Sequence, residues 1–528
     1  MTGGSDLRRM AGEVVLVALL FAAAGAWPVP DVNETVYLTK ARHAADPAWA
    51  AGDWFLETPD AHGVFYLLFA PVAAAVPLEQ AAWIGRWAGW LAVATGFLHA
   101  VRPLLATSRD RLLAAALFAV LVRVTTAAGE WVLGGCESKV FAWALVFGGI
   151  GEFVRGRDAR SWCLLGAATA VHPLVGGWGM AAEGIVLMTA AVRQGIGRGP
   201  RPLAAALVAV GCGLALAGVV PALELGAGVD AAGRAAATRI YVVERLHHHL
   251  LLRSFPEPMV VRHLLAILAW ILLGRAAAAT PARRRLAAFT TASLAISAAG
   301  CLISLAETVA PTFAYALLRY YWFRLADIVV PLALAVNAAA VLGDDDACRL
   351  ALPGRPVVLR GLVWIALAAD LAGQSRHWPL PGRSGLVPRA DTKVDPVAWA
   401  DICGWVRDHT PDDAVFLTPR GAASFTWRTG RREVVAWKNS PQDAASLLEW
   451  RRRIVDCFSA DGGLADAERS TAALGAERMR AVAARYGADH AIVPLDVDDV
   501  DSLPFRRLHA NDRYVVFSLV AEPAPENP

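Results

Sequence analysis

Apolar runs of close to twenty residues recur along the first 370 positions of the chain, and short arginine-rich stretches separate them. A helix of about 20 apolar residues crosses the hydrocarbon core of a bilayer. The pattern therefore predicts a mainly α-helical, polytopic membrane protein with about eleven transmembrane helices. The predicted helices cover residues 11–29, 83–101, 112–128, 140–154, 161–174, 178–192, 203–221, 259–274, 287–306, 325–342 and 357–373.

Arginine residues fall on alternate connections between these runs. Arg8 and Arg9 precede the first run, and every second connection after it is rich in arginine. The opposite connections hold little more than Lys139, Arg319 and Arg324. Because cytoplasmic loops carry the excess of Lys and Arg, the N-terminus is predicted to be cytoplasmic. The long segments then predicted on the outer face are 30–82, 222–258 and everything after 374.

The stretch HGVFYLLFAPVAAAV at 62–76 is apolar but short. As a helix it would measure about 22 Å, less than the roughly 30 Å of a bilayer core. If it crossed the membrane, the arginine-rich connection at 102–111 and every later one would change sides. We therefore predict a helix that lies on the outer membrane interface, within the outer loop 30–82.

The chain changes character after about residue 391. Helical periodicity alternates there with short β-type runs, which predicts a small α/β domain at 391–528, joined by a linker at 376–390 to a membrane domain at 1–375. The domain sequence has no glycine-rich loop of the GxGxxG or GxxxxGK[ST] type, so it indicates no nucleotide site. Beyond a helix, turn and strand at 395–419, the predicted helices are 441–458 and 475–487, and the predicted strands are 433–438, 490–495, 505–510 and 514–520.

Composition agrees with a membrane protein, because 56% of the residues are hydrophobic, 18% are charged and mean hydropathy is +0.43. The net charge of +3 is small, and no basic surface interleaved with aromatics indicates nucleic-acid binding. The Ala-, Arg- and Gly-rich composition favours the bacterial cytoplasmic (inner) membrane, with the C-terminal domain in the periplasm. In that oxidising compartment Cys403 and Cys457 are candidates for a disulfide.

The first outer segment concentrates acids, bases and aromatic residues directly after the first apolar run. On a helix that begins near Asn33, Glu34 and Tyr37 share one face, and Lys40 lies over Tyr37. A carboxylate placed there can take the proton of a hydroxyl at the membrane edge, which makes Asp31 and Glu34 candidate bases. Interfacial loops are in general rich in charge and in Trp and Tyr, so a purely interfacial role stays open.

The order of motifs in this segment resembles the start of GT-C membrane glycosyltransferases, above all the protein O-mannosyltransferase and lipid A aminoarabinose transferase groups. In those families an Asp-Glu pair follows the first helix, and then come a Tyr, an Ala-Arg, a Gly-Asp-Trp, an interfacial helix and a second helix that begins with an aromatic residue and an Arg. The resemblance covers about 100 N-terminal residues in motif and the first 370 in topology. The matching positions are Asn33, Glu34, Tyr37, Ala41, Arg42, Gly52, Asp53, Trp54, the helix 62–76, Trp83 and Arg86.

The resemblance implies an inverting enzyme that moves a sugar from a polyprenyl-phosphate donor to a glycan, lipid or protein acceptor at the outer membrane face. It makes Glu34 and Asp31 the catalytic candidates, and Glu34→Gln is then expected to abolish transfer without loss of expression. The family's Asp falls on Asn33, which cannot act as a base. No metal site is predicted, although a divalent cation is compatible with the scheme. The residues expected to contact substrate or membrane lipid are Asn33, Tyr37, Lys40, Arg42, His62, Glu137, His172, Arg319 and Arg324.

Arginines are scarce on the outer face, which makes Arg319 and Arg324 candidates for contact with the lipid phosphate. Snorkelling beside an aromatic belt is the alternative. Asp327 requires a partner within the membrane, and Arg324, three residues earlier, is predicted to pair with it. Glu137 and His172 have structural alternatives too. The charge of Glu137 favours the N-terminus of the helix that follows it, and His172 lies in a predicted turn between two helices.

Two other classes of protein stay open. The departure from the family's Asp fits a catalytically silent GT-C-like protein that binds a glycan or a polyprenyl lipid. A transporter fits less well, because transporters place their acids at mid-membrane and show two similar halves. The basic, aromatic segment 427–439 fits contact with a glycan or lipid headgroup, and a solvated strand pair fits it as well. Three adjacent histidines, His247–His249, cannot share one helix face and are a weak metal candidate.

Overall fold

The computed structural model of the protein describes residues 3–194, 202–343 and 355–520. We call the described chain up to residue 374 the helical unit and residues 391–520 the C-terminal unit. The α-helices of the helical unit are α1 (Gly3–Gly25), α2 (Glu34–Ala45), α3 (Gly63–Ala75), α4 (Leu78–Val101), α5 (Ser108–Val124), α6 (Ser138–Val154), α7 (Asp158–Val171), α8 (Pro173–Gln194), α9 (Pro202–Glu224), α10 (Ala231–Arg239), α11 (His247–Leu250), α12 (Glu257–Ala276), α13 (Pro281–Leu305), α14 (Pro311–Leu318), α15 (Arg324–Leu342) and α16 (Arg355–Gln374).

Each of the eleven predicted apolar segments corresponds to a helix, namely α1, α4 to α9, α12, α13, α15 and α16. Among the described residues, five of these helices (α8, α9, α12, α13 and α15) are long and apolar enough to cross a membrane. The predicted count of about eleven spans is therefore supported only in part. Helices α5 and α6 have 17 residues and α7 has 14, short of the about 20 residues of a full span. Helix α1 carries Arg8, Arg9 and Glu13 along its length.

An aromatic cluster holds the first helices of the helical unit together. Phe21 of α1, Phe97 of α4, Phe118 of α5 and Phe147 of α6 are all fully buried. Their rings lie 5.7 Å (Phe21–Phe97), 5.4 Å (Phe97–Phe118) and 5.6 Å (Phe118–Phe147) apart between centroids. Such ring pairs contribute about 0.5–1.5 kcal/mol each beyond burial of their area. The cluster thus fixes the helices from whose ends the polar loops described below emerge.

The segment 30–82, which the arginine pattern predicts on the outer face, contains two packed helices, α2 and α3. The predicted short apolar helix at 62–76 is present as α3, and it is not long enough to span a membrane. Leu38 of α2 and Phe65 of α3 are fully buried in one cluster, and Trp427 from the C-terminal unit packs into the same cluster. This shared cluster seats the C-terminal unit directly on α2.

The C-terminal unit is a five-stranded sheet with helices on both faces. The strand order is β2-β1-β3-β5-β4, with β1 parallel to β2 and β3, and with β5 antiparallel to β3 and β4. The predicted alternation of helix and strand is therefore present. Its elements are α17 (Pro396–His409), β1 (Val415–Leu417), α18 (Phe425–Thr429), β2 (Arg432–Glu433), α19 (Ala444–Phe458), α20 (Ala476–Tyr486), β3 (His490–Pro494), β4 (Arg506–Ala510) and β5 (Tyr514–Ser518).

Two apolar clusters lie on opposite faces of this sheet, because neighbouring residues of β3 point alternately into one and the other. Cys457 is buried with α19 and α20 on one face, and Cys403 is buried with α17 on the other. Both are free thiols. The candidate disulfide between them is thus not formed, since the sheet separates the two side chains.

The predicted strand at 433–438 is mostly wrong, because β2 ends at Glu433. Side chains of α19 donate hydrogen bonds to backbone carbonyls that would pair with another strand if β2 were longer. Arg453 donates to the carbonyl of Val434 at 3.0 Å, and Trp450 donates to that of Ala436 at 3.2 Å. The chain after β2 is therefore free to turn towards the helical unit, and it carries Lys438 there.

Several polar contacts dock the C-terminal unit on the first outer segment. The backbone N–H of Glu433 donates to Asp53 at 3.2 Å, and the guanidinium of Arg453 lies 4.4 Å from the ring of Trp54. Helix α10 packs on α19 nearby through buried alanine and leucine side chains. The linker contributes as well, because Trp378 donates to the carbonyl of Ala23 at the end of α1. The two units therefore face each other across a defined junction.

Candidate active site

Glu34, one of the two predicted bases, forms a closed network at the first turn of α2. Its carboxylate accepts two hydrogen bonds of 2.7 Å from the guanidinium of Arg86 and is completely buried. The backbone N–H groups of Asp31 and Cys136 donate to it at 2.7 and 2.8 Å. Four donors saturate the two oxygens, so none is left to accept an acceptor hydroxyl. This geometry argues against Glu34 as the base and favours a structural role.

Asp31 lies at the edge of an open cavity. Its two oxygens accept hydrogen bonds from the backbone N–H groups of Val32 at 2.7 Å and Gly135 at 3.1 Å, and Arg389 approaches to 3.7 Å. The absence of a side chain at Gly135 is required here, because a Cβ would lie 2.9 Å from carbon atoms of both Asp31 and Glu34. That close approach places the loop before α6 against the start of α2.

Asn33 bridges the two units of the molecule. Its side-chain amide donates to Glu137 at 2.5 Å, and its carbonyl oxygen accepts a 2.7 Å hydrogen bond from the ammonium of Lys438. Glu137 is 4% exposed and precedes α6, while Lys438 comes from the C-terminal unit. Lys139 also lies 3.6 Å from Glu137. An amide that links a buried carboxylate to an ammonium thus occupies the position at which the resembled families have an Asp.

Two connected cavities open at this junction. The larger, of about 540 Å³, lies between the helical unit and the C-terminal unit, and the smaller, of about 280 Å³, extends towards α8 and α14. Both are lined by Asn33, Glu130, Glu137, Lys139, Arg245, His249 and Lys438. Basic side chains outnumber acidic ones in the larger cavity. The basic residues are Arg123, Lys139, Arg245, Arg389, Lys393, Arg420 and Lys438, and the acidic ones are Asp31, Glu130 and Glu137.

Burial alters the acid–base behaviour of the two groups that Asn33 connects. It raises the pKa of the Glu137 carboxyl, although Lys139 attracts the charged form, and the nearby Asp31 adds to the rise. Burial together with repulsion from Arg245 lowers the pKa of Lys438 to about 7. A carboxylate whose pKa is raised is better matched to proton transfer near neutral pH than an ordinary one.

Arg245 is the cation of this cavity that most clearly lacks a counter-charge. It is 8% exposed and ends a π-helical turn, Ile240–Arg245. Its only hydrogen bond among the described residues is a 3.3 Å contact with the carbonyl of Lys438, and its Nε has no partner. A buried cation without a paired anion is costly. The site is therefore suited to an anion with phosphate-like geometry.

Arg324 and Arg319, the predicted outer-face arginines, both line the smaller cavity. Arg324 lies 3.0 Å from Glu130 and 3.9 Å from the ring of Tyr321. The predicted pair of Arg324 with Asp327 is wrong, because Asp327 accepts instead from the backbone N–H groups of the loop at 127–130. Attraction to Arg324 lowers the pKa of Glu130 overall, although burial alone would raise it.

The other predicted substrate contacts divide into two groups. Tyr37, His62 and His172 line the smaller cavity, with Tyr37 and His62 joined by a 3.3 Å hydrogen bond. Lys40 instead donates to the carbonyl of Thr58 at 2.6 Å behind α2, and the cavity linings do not include it. Arg42 donates to the carbonyls at the end of α3 and is likewise outside both linings.

The side chains that could hold a metal ion do not form a cluster in the described part of the chain. Among the described residues no group of three or more His, Cys, Asp or Glu side chains is placed to hold a metal ion. Glu137 and Asn33, the oxygen donors at the centre, already face the ammonium groups of Lys139 and Lys438. A divalent cation therefore stays a compatibility of the family resemblance and enters no step proposed below.

Comparison with solved structures identifies the fold. The chain is similar to the arabinofuranosyltransferase AftD from Mycobacteria, with 17% identity and a TM-score of 0.50 over 98% of this chain; a second AftD structure gives 15% and 0.50. It spans 42% of the length of the first AftD chain. It is also similar to ArnT from Cupriavidus metallidurans, with 13% identity, a TM-score of 0.47 and coverage of 98% and 99% of the two chains.

The chain therefore has a GT-C-like fold, as its N-terminal motifs predicted. Within the C-terminal unit, residues 397–457 match the model of a family described as a domain of unknown function, DUF6798. Among curated protein sequences, none matches the chain.

Two central residues, Arg245 and Lys438, were not among the predicted site residues. Arg245 belongs to the segment 222–258, which was predicted on the outer face, and Lys438 belongs to the basic, aromatic segment 427–439. Nothing in the local pattern of either segment shows that the Arg245 guanidinium lies 3.3 Å from the backbone carbonyl of Lys438. The one available signal was that both segments were predicted on the same face of the membrane as Asn33.

Proposed function

We propose that the protein is a membrane glycosyltransferase that takes its sugar from a polyprenyl-phosphate donor and passes it to an acceptor at the outer face of the membrane. The observation that carries the proposal is the cation-rich cavity around one buried carboxylate, Glu137. The unpaired guanidinium of Arg245 suits the anionic phosphate of such a donor. The GT-C-like fold supports the same reading.

In this mechanism Glu137 removes the proton from an acceptor hydroxyl. The hydroxyl oxygen forms a bond to the anomeric carbon, and the bond from that carbon to the phosphate oxygen breaks. The electron pair of that bond stays on the phosphate oxygen, so the singly charged diester leaves as polyprenyl phosphate with one additional negative charge, which Arg245 and Lys139 stabilise. Asn33 holds Glu137 at 2.5 Å and so orients the base without acting as one. Asp31, which borders the same cavity, is the second carboxylate available to the acceptor.

The side of the membrane follows from the arginine pattern. The positive-inside rule puts the connections near Glu137 and the C-terminal unit on the outer face, in the periplasm of a bacterial inner membrane. A lipid-linked donor fits that location, because nucleotide sugars are made and kept inside the cell. The polyprenyl chain would then lie among the exposed apolar helices, and its phosphate at the junction of the two units.

A catalytically silent protein that binds a glycan or a polyprenyl lipid is the second candidate. Asn33 favours it, since an amide stands where the resembled families have a carboxylate. In that case the cation-rich cavity would hold the lipid phosphate, and Glu137 would only balance the charge of Lys139 and Lys438.

The deciding experiment is transfer by the purified full chain in detergent, with a panel of radiolabelled polyprenyl-phosphate sugars and membrane extract as the acceptor source. We expect label to leave the lipid with the wild type, and we expect Glu137→Gln to lower the rate by about 10²–10⁴-fold, the range for loss of a general base. Asp31→Asn is expected to have a smaller effect. Binding of every donor without any release of label would establish the silent protein instead.

The phosphate contact is tested separately by donor binding. We expect Arg245→Gln to weaken binding of a polyprenyl-phosphate sugar by about 10- to 100-fold, the range for a hydrogen bond to a charged group. Arg234→Gln is the matched control, because Arg234 is exposed on α10 and outside both cavities. Equal affinities for the two variants would remove Arg245 from the donor site.

A further inference from the structure

The C-terminal unit contains a large crevice of its own. It has a volume of about 880 Å³, within the roughly 300–1,000 Å³ of sites that enclose small ligands. Its floor is formed by the residues that follow β1 and β3, from Pro419 to Gly421 and from Leu495 to Asp496. Asp395, at the start of α17, closes one side. The crevice therefore lies at the carboxyl edge of the two central parallel strands.

This position is the one at which open α/β sheets bind ligands. From β1 the chain passes to β2 on one side, and β3, the next strand in sequence, lies on the other side of β1. The connections thus diverge between β1 and β3, and the helices leave an opening there. The rule concerns the topology alone, so it points to a site in this unit whatever the helical unit does.

The crevice lining favours a polyhydroxylated ligand over a polyphosphate. Acidic and basic side chains alternate around it, with Arg469 3.6 Å from Asp496 and Arg513 3.8 Å from Asp395. Carboxylates accept hydrogen bonds from sugar hydroxyls, and guanidinium groups donate to them. Asp512 adds a third carboxylate, so three carboxylates are interspersed among the four basic side chains of the lining, and the crevice offers no purely cationic surface to a polyphosphate.

The crevice adjoins the cavity around Glu137, and the two share part of their lining. The neck between the two is formed by residues that line both, namely Thr392, Lys393, Arg420, Gly421 and Trp437. Gly421 and Lys393 are packed closely here, because a Cβ on Gly421 would lie 2.8 Å from the Cβ of Lys393. Arg420 and Trp437 also line the neck. The Arg420 guanidinium lies 5.7 Å from the Trp437 ring, and the backbone N–H of Trp437 donates to the backbone carbonyl of Arg420.

We propose that this crevice binds a glycan chain, and that the neck leads the end of that chain into the cavity where Glu137 lies. The crevice then holds the acceptor, while the helical unit holds the lipid donor. The glycan site itself stands on the crevice and its lining, and its role as the acceptor site rests on the proposed transferase function.

The test measures glycan binding by the purified full chain in detergent, with calorimetry and a panel of linear tetrasaccharides built from hexose, pentose, N-acetylhexosamine or uronic acid. At least one member is expected to bind to the wild type. The double variant Asp496→Ala/Asp512→Ala is expected to lower that affinity about tenfold or more. Both aspartates are exposed, so the change does not disturb the core. Asp408→Ala, at the opposite end of α17, is the matched control.

Donor binding is measured on the same variants to separate this site from the transferase proposal. Polyprenyl-phosphate binding is expected to stay unchanged when the two aspartates are removed. Glycan binding that is lost only in the crevice variant supports the glycan site. If the wild type binds the glycan in this way but transfers no sugar, the glycan site stands and its role in a transferase is refuted. Transfer with no tetrasaccharide bound, equal binding by both variants, or preferential binding of ADP or UDP would overturn the glycan site.

Discussion

Two buried carboxylates border the start of α2, and their surroundings differ in kind. Glu34 faces the helical unit, where Arg86 and two backbone N–H groups satisfy it completely. Glu137 faces the cavity, where Asn33 donates one hydrogen bond and Lys139 approaches no closer than 3.6 Å. Burial and charge are alike in the two cases. The difference shows that an unfilled acceptor atom, not burial, distinguishes a candidate base from a structural acid.

The largest effect is expected from a substitution of Glu34, the carboxylate whose hydrogen-bonding capacity is already filled. Glu34→Gln leaves Arg86 buried without a counter-charge, and removal of one partner of a buried pair costs about 3–5 kcal/mol. We therefore expect loss of folded protein in size-exclusion chromatography and a sharply lower melting temperature in detergent. This reverses the expectation from sequence that expression is kept.

Glu137→Gln is the matched control for that measurement, because it changes the same functional group on the open side. It is expected to keep the wild-type melting temperature and to lose transfer. A Glu34→Gln protein that melts like the wild type but transfers no sugar would return the role of base to Glu34.

A smaller effect concerns the pH dependence of donor binding on the open side. The pKa of Lys438 is about 7 in the folded protein, against an ordinary value of 10.5, so its ammonium loses its proton as the pH rises through 7. We expect the affinity for a polyprenyl-phosphate sugar, whose diester charge is constant here, to fall about five- to tenfold between pH 6 and pH 8. Binding titrations at several pH values measure this change.

Lys438→Gln is expected to remove the pH dependence of donor affinity. Lys139→Gln is expected to lower the donor affinity but to keep its pH dependence. The same pKa shift affects folding with the opposite sign. The unfolded chain holds the proton up to about pH 10.5 and the folded chain only to about 7, so the free energy of unfolding rises with pH across that window. A pH slope of donor binding that survives in Lys438→Gln would assign it to another group.

The smallest effect is expected at Arg42, which the motif resemblance predicted to contact substrate. Arg42 donates to the carbonyls of Ala73 and Ala74 at 3.0 and 2.9 Å and so caps the end of α3. Arg42→Ala is expected to lower the free energy of unfolding by about 1 kcal/mol. Donor affinity should change less than twofold, and a tenfold loss in the binding assay would place Arg42 in the site after all.

The fold was largely predictable because its signals are local. Apolar runs marked each of the eleven corresponding helices, and short β-type runs marked three of the five strands of the C-terminal unit in full. The number of membrane spans was less certain, since hydropathy cannot tell a lipid-facing helix from one buried in protein. Helix α15 illustrates this. It is apolar enough to span a membrane, and yet 89% of its apolar 18-residue stretch is buried within the protein.

The candidate site was predictable only to the level of its segment. Asn33 and Glu137 were both selected, yet the hydrogen bond between them joins residues 104 positions apart. The saturation of Glu34 depends on Arg86 and on a backbone N–H at Cys136, and neither is visible from the order of motifs. Roles that depend on which lone pairs are already occupied require the packed structure.

The contact between Asn33 and Lys438 also determines when, during synthesis of the chain, the cavity can form. The two residues are 405 positions apart, and a ribosome that adds about 5–20 residues per second needs roughly 20 to 80 seconds to cover that distance. During this interval the start of α2 exists while the cavity still lacks the wall that Lys438 supplies. A nascent or prematurely terminated chain that ends before residue 438 therefore has no complete cavity, and the cavity can close only once the C-terminal unit is being made.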